Sequence, residues 1–211
     1  MKKIFVGFPV LTGQVDVRFM DALLNTIRTG LELDLDISPY FVTDDAIIQR
    51  VRNDIFHTAY KSGIQTCIFL DSDIVWKPED LFKLLNGPMV VGATYRKKAD
   101  EEIYVGIDKK SIIADKYIET YNMGMGFVKI EREALAIIYE NSPKYYDVKD
   151  NEIKRAIFQV EFDEQNGMIS EDVHMFKKMK RFGIKVYCDT TIDLGHIGRK
   201  IYQSNLKEYF K

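Results

Sequence analysis

Cysteine is nearly absent from this chain. Cys67 and Cys188 both fall inside apolar, strand-like runs and read as two buried thiols, not as a disulfide framework. Long hydrophobic runs are missing too. Nothing approaches the roughly 18 consecutive apolar residues of a membrane-spanning helix. Charge of one sign is not in excess: 30 Lys and Arg stand against 32 Asp and Glu, a net of −2. That balance removes any bulk attraction to nucleic acid or to an anionic membrane. The opening "MKKIFVGFPVLTG" has a basic start, but its apolar run breaks at Pro9, Gly13 and Asp16, too early for a signal peptide. A soluble, cytoplasmic protein without nucleic-acid partners is the expectation. Histidine is scarce, with His57, His174 and His196 only. No internal repeat, low-complexity tract or linker divides the 211 residues, so one domain over 1–211 is the economical reading.

What is present is an ordinary globular composition, 46% hydrophobic and 29% charged. Strand and helix signals alternate through residues 1–100. Apolar runs at 3–9, 36–42, 66–71 and 88–96 read as buried strands. Helical spacing predicts helices over 14–30, 44–63 and 77–85. Gly30 and Gly63 mark two stops, Pro78 a start, and Asp44 and Asp45 a first turn. The inner stripe of the second helix is Ile48, Val51, Ile55 and Ala59. Such alternation predicts an α/β fold with a Rossmann-like, mostly parallel central sheet flanked by helices. Residues 101–211 are mixed. A strand lies within 119–133, a helix over 132–140, hairpin and loop over 141–169, a helix over 170–183, and strands over 184–189 and 191–198.

The stretch "CIFLDSDIVW", 67–76, sets Asp71 and Asp73 at the end of the third strand, where open α/β sheets bind ligands. Two carboxylates one residue apart repel unless a cation or donor lies between them. A hard divalent cation completed by substrate phosphates satisfies that arrangement. Turn chemistry is the plainer alternative. In "SEDVHMF", Ser170 is a good N-cap and Glu171 suits the helix dipole. Asp172 differs, being in register with Met175, Phe176, Met179 and Phe182 on the apolar face. A carboxylate aimed inward is a candidate general base or acceptor anchor. His57 and His174 lie in surface-compatible helices. His196 lies between glycines after a strand, where a neutral imidazole can add nitrogen to an oxygen-ligated metal, which favours manganese.

The order "FLDSD", "GMGFVKIERE", "SEDVHMFKKMKRFGIKVYCD", "LGHIG" resembles the GT-A-fold glycosyltransferases, nucleotide-sugar-dependent enzymes with a D-x-D metal motif. The likeness spans essentially the whole chain and is closest to small viral and bacterial members related to the large family 2 group. It implies a donor half over 1–100 and an acceptor half over 101–211. It also implies Mn2+ or Mg2+ held by Asp71, Asp73 and His196, with Asp71 also serving the donor ribose and Ser72 between them in the donor site. Phe8 and Pro9 would flank the base, Arg52 and Asn53 would line the uridine side, and Asp172 would be the catalytic base. The implied donor is a UDP-sugar and the implied acceptor a glycan or glycoprotein, with further domains of a longer chain as possible partners. Tyr95, Arg96 and residues 97–110 are candidates for donor choice, and Arg199 and Lys200 for diphosphate contact. The stretch "FQVEFDEQNGMIS" departs from the aromatic-rich acceptor segment of many relatives.

Two rival classes stay open. A nucleotidyltransferase on a related sheet expects a Gly-rich phosphate loop, and "VGFPVLTGQV" offers only scattered glycines. A non-catalytic nucleotide-sugar-binding module has no use for an inward Asp172.

Overall fold

The computed structural model describes residues 1–98, 103, 105–107, 116–165, 167–198 and 201–205. Strand β1 (Lys2–Val10) leads to α1 (Val17–Glu32), β2 (Leu35–Thr43), α2 (Ile48–Lys61) and β3 (Thr66–Leu70). A two-residue strand β4 (Ile74–Val75), α3 (Pro78–Leu85) and β5 (Val90–Gly92) follow, then β6 (Val105–Gly106) and β7 (Tyr117–Thr120). Next come β8 (Asn122–Met123), β9 (Phe127–Glu131) and α4 (Arg132–Glu140). Two hairpins, β10 (Lys144–Asp147) with β11 (Glu152–Arg155) and β12 (Glu161–Asp163) with β13 (Gly167–Ile169), precede α5 (Glu171–Arg181). Strands β14 (Val186–Asp189), β15 (Asp193–Ile197) and β16 (Ile201–Asn205) complete the described order.

Seven strands form the central sheet in the order β2-β1-β3-β9-β5-β14-β7. The sheet is mixed, which corrects the mostly parallel expectation. Its six neighbour pairs divide into three parallel and three antiparallel. The early strands do share one direction, as their helical crossovers require. The difference comes from β9, which inserts between β3 and β5 antiparallel to both.

Alternation along β1 sends Phe5 to one face and Ile4, Val6 and Phe8 to the other. The first face is covered by α2, α4 and α5 through Val51, Ile55, Leu135, Ile138, Met175 and Phe176. The second is covered by α1 and α3 through Phe19, Leu23, Leu81 and Leu84. With both faces buried, these strands have no polar side to show, hence their unbroken apolar runs. Both cysteines are free and buried. No helix among the described residues is long and apolar enough to cross a membrane.

Local departures have simple causes. Helix α1 runs through Gly30 because β2 needs the space: a Cβ there would meet Ile37 Cγ1 at 2.8 Å. Helix α2 starts at Ile48, so Asp44 and Asp45 lie before it; Asp45 caps the Ile47 amide at 2.9 Å and pairs with Arg50. Ser170 occupies the N-cap of α5 without a side-chain capping bond. His57 and His174 are buried, not surface, residues. The His57 ring meets the Tyr139 hydroxyl at 2.7 Å, and His174 faces Glu161 at 3.2 Å.

Candidate active site

The parallel neighbours β1 and β3 end at the same edge of the sheet. Beyond β3 the Ile74 amide donates to the Asp71 carbonyl at 3.1 Å, so Asp71 and Asp73 stand on one tight turn. Strand β4 continues from that turn and pairs antiparallel with β15, Ile74 opposite His196. The Ile197 amide donates to the Asp73 carbonyl at 2.6 Å. These contacts carry His196 to the D-x-D turn across more than a hundred residues. Its Nε2 lies 3.3 Å from Asp73 Oδ2, and its Nδ1 lies 2.7 Å from the Arg96 carbonyl oxygen. A carbonyl only accepts, so Nδ1 carries a proton and Nε2 is the atom presented to Asp73.

Helix α2 packs tightly on β1, because Gly7 leaves the room that Ile55 fills: a Cβ at Gly7 would meet Ile55 Cγ2 at 2.1 Å. One turn earlier, Arg52 points over the end of β3 with 4% of its surface exposed. Its Nη2 donates to both Asp71 oxygens at 3.2 Å. Its Nη1 donates to Glu171 Oε1 and Asp172 Oδ1, each at 2.9 Å. One guanidinium therefore joins the D-x-D turn to the start of α5. Asp172 is further held by the Met125 amide at 3.4 Å. Gly126 admits this crowding, since a Cβ there would meet Tyr95 Oη at 2.6 Å and Asp71 Oδ2 at 2.7 Å. The Gly126 amide donates to the Tyr95 hydroxyl, and the Tyr95 ring stands edge-on to His196 at 4.9 Å.

Burial opposes the charge of Arg52, but Asp71, Asp172 and Glu171 outweigh it and keep the guanidinium fully charged. Burial raises the Asp71 carboxyl, Arg52 pulls it back, and the nearby Asp73 and Asp172 charges leave it above the usual range. Burial also pushes at Asp73, yet hydrogen bonds from His196 and Lys98 hold its carboxyl below the usual value. Glu171 moves upward as well. Burial, the Asp172 charge and their mutual hydrogen bond raise it to about 7 against the pull of Arg52. A carboxyl in that range exchanges a proton at neutral pH.

A cleft of ≈ 280 Å³ opens beside these groups. Pro9 and Val10 at the end of β1, with Leu11 just beyond it, form one wall, Asp45, Ala46 and Ile48 another, and Arg52, Asp71, Ser72 and Asp73 the floor. Pro9, Arg52, Asp71, Ser72 and Asp73 thus line one cleft. Phe8 does not: it is buried in the core between Phe41, 4.9 Å away, and Phe19, 5.3 Å away. Alternation along β1 turns it to the α1 face. Asn53 is also withdrawn, its amide taken up by main chain: it accepts from Ile157 and Phe158 and donates to the Phe158 carbonyl. Arg199, Lys200 and most of 97–110 lie outside the described residues.

No group of three or more His, Cys, Asp and Glu that could hold a metal occurs among the described residues. Asp71, expected as a ligand, faces Arg52 with both oxygens. Asp73 and His196 do fit a cation, as a carboxylate oxygen and the ring nitrogen left over from the Nδ1–Arg96 contact, 3.3 Å apart. Such a site needs its remaining ligands from bound substrate and water.

Glu171 and the bridging role of Arg52 were not anticipated, though helical spacing contains both. Arg52 follows Ile48 by four and precedes Ile55 by three, which sets it on the buried face. Glu171 precedes Met175 by four and Met179 by eight.

No protein-family model matches the chain, and no curated protein matches it. Among solved structures, A197 from STIV superposes with a TM-score of 0.60 at 19% identity, covering 97% of this chain and 95% of that one. A glycosyltransferase involved in the glycosylation of the major capsid of PBCV-1 gives 0.36 at 11% identity, over 63% and 62% of the two chains. The inositol-1-phosphate CTP transferase from T. maritima gives 0.43 at 10%, over 90% and 88%. The last two likenesses are slight. The chain shares the fold of A197.

Proposed function

We propose that this chain is a metal-dependent glycosyltransferase that moves a sugar from a nucleoside-diphosphate sugar, in the first place a UDP-sugar, to a hydroxyl of a glycan or glycoprotein. One observation carries the reading: Arg52, in the lining of the cleft, ties Asp71 of the D-x-D turn to Glu171 and Asp172 at the start of α5, while His196 is set against Asp73. A binding module needs the first half of that arrangement and has no need of the second.

Pro9 and the residues opposite it give the nucleoside an apolar slot at the ends of β1 and β3. Asp73 and His196 hold Mn2+ or Mg2+. When bound, such an ion stabilises the negative charge that grows on a departing diphosphate. Asp172, oriented by Arg52 and the Met125 amide, accepts the proton of the acceptor hydroxyl in an inverting transfer. Glu171 stands beside it as a second proton site with a carboxyl near 7. Tyr95 and Gly126 shape the floor under the sugar.

Calorimetric binding of a panel of nucleoside diphosphates, with and without Mn2+, tests the proposal on wild type and Asp73→Asn. Uridine diphosphate should bind only with Mn2+ and lose its affinity in the variant. Metal-independent binding unchanged by the substitution sinks it.

A further inference from the structure

Asp73 Oδ2 has two suitors. His196 Nε2 approaches to 3.3 Å, and Lys98 Nζ lies 2.5 Å away. The lysine is as telling as the histidine. Arg52 is buried and fixed by three carboxylates, whereas Lys98 keeps 44% of its side chain exposed and, among the described residues, pairs with Asp73. The chain just before it is nonetheless anchored: the Arg96 carbonyl accepts from His196 Nδ1, and the Tyr95 side-chain hydroxyl accepts from the Gly126 amide. The lysine thus combines a fixed root with a free four-carbon stem.

We infer that Lys98 is an exchangeable internal cation, which neutralises Asp73 before substrate binds, yields that oxygen to the divalent ion, and then pairs with the donor's diphosphate. This rests on the glycosyltransferase reading above and assigns to that site a residue whose role changes between states. An ammonium and a divalent cation compete for the same lone pairs, and the doubly charged ion holds a carboxylate oxygen more strongly. A released ammonium inside the cleft meets the diphosphate as the next anion, and lysine contacts phosphate as a mobile point charge. Before binding, the same contact offsets the repulsion between Asp73 and its acidic neighbours, among which Asp71 feels the Asp73 charge directly.

The exchange predicts two effects of opposite sign from one substitution, which a structural salt bridge does not produce. Free Mn2+ is read by electron paramagnetic resonance in titrations of Mn2+ alone into wild type, Lys98→Met, Lys98→Gln and Asp73→Asn. Uridine diphosphate affinity at saturating Mn2+ is read by calorimetry on the same proteins. Both Lys98 variants should bind Mn2+ about 2- to 5-fold more tightly, the scale of a half-exposed ion pair. They should bind the diphosphate about 10-fold more weakly, the scale of one charge-assisted hydrogen bond. Unchanged or weaker Mn2+ binding overturns the exchange, and so does unchanged diphosphate affinity. If wild type holds Mn2+ no better than Asp73→Asn, the metal site itself fails, and the role of Lys98 fails with it.

Discussion

Replacing Arg52 by Met keeps the length and apolar volume of the stem and removes only the fork that joins the D-x-D turn to the start of α5. Asp71, Glu171 and Asp172 then face one another with no cation between them, in a place where the arginine was 4% exposed. Breaking a buried ion pair from one side costs about 3–5 kcal/mol, because the partner charges stay buried. In a chain of this length each kcal/mol moves the midpoint by about 2–4 °C, so Arg52→Met should lower Tm by about 6–20 °C at pH 8. The loss should depend on pH in a defined direction. Arg52 lowers both the Asp71 and the Glu171 carboxyls, so without it they bind protons more readily in the fold. Groups whose folded values lie above the unfolded ones stabilise on acidification, so the gap between variant and wild type should narrow from pH 8 to pH 5. Urea midpoints at four pH values, with m-values compared, give the answer. A drop of under about 3 °C, or a gap that is flat with pH, refutes the view of Arg52 as the keystone of a crowded carboxylate cluster.

Glu171→Gln removes a carboxyl raised to about 7 from 4.5. The stabilising share of that group is present below the unfolded value and lost as pH rises through 7. The variant should therefore match wild type near pH 4 and exceed it at pH 8; lower stability at pH 8 counts against the assignment. Asn53→Ala orphans the Ile157 and Phe158 amides, at about 1–3 kcal/mol each, and should leave uridine diphosphate affinity unchanged. A loss of affinity with intact folding would return Asn53 to the nucleotide site. Gly126→Ala drives a methyl against Tyr95 and Asp71. It should cost about 1–3 kcal/mol in Tm measurements and weaken nucleotide binding as well, and unaltered binding would detach Asp71 from the donor.

The first half of the fold was legible because strands covered on both faces and helices with a single apolar stripe write their periods directly into the sequence. Strand β9 escaped: "FVKIE" looks like any buried strand, and no local signal carries its direction or its place between β3 and β5. The D-x-D pair was legible from its position after "CIFL". The route by which His196 reaches it was not, since β4 is two residues long and its partner lies 120 positions away. Phe8 was misplaced because a likeness to a family fixes neighbourhood but not which way a strand residue points. Glu171 was set aside because a helix dipole already explained an acid in the first turn. A sufficient local reason hid a tertiary one.

The β4–β15 pairing has a consequence for how the protein comes into being. At about 5–20 residues per second, synthesis places the D-x-D turn outside the ribosome several seconds before His196 is made. During that interval the early strands and helices can dock, since their contacts are short in sequence, while the turn waits with Asp73 lacking its imidazole. Nascent and truncated chains ending before residue 196 carry the acids in their turn but not the imidazole that stands against Asp73. The meeting of Asp73 and His196 is thus deferred to a late step of assembly, when β15 adds beside β4.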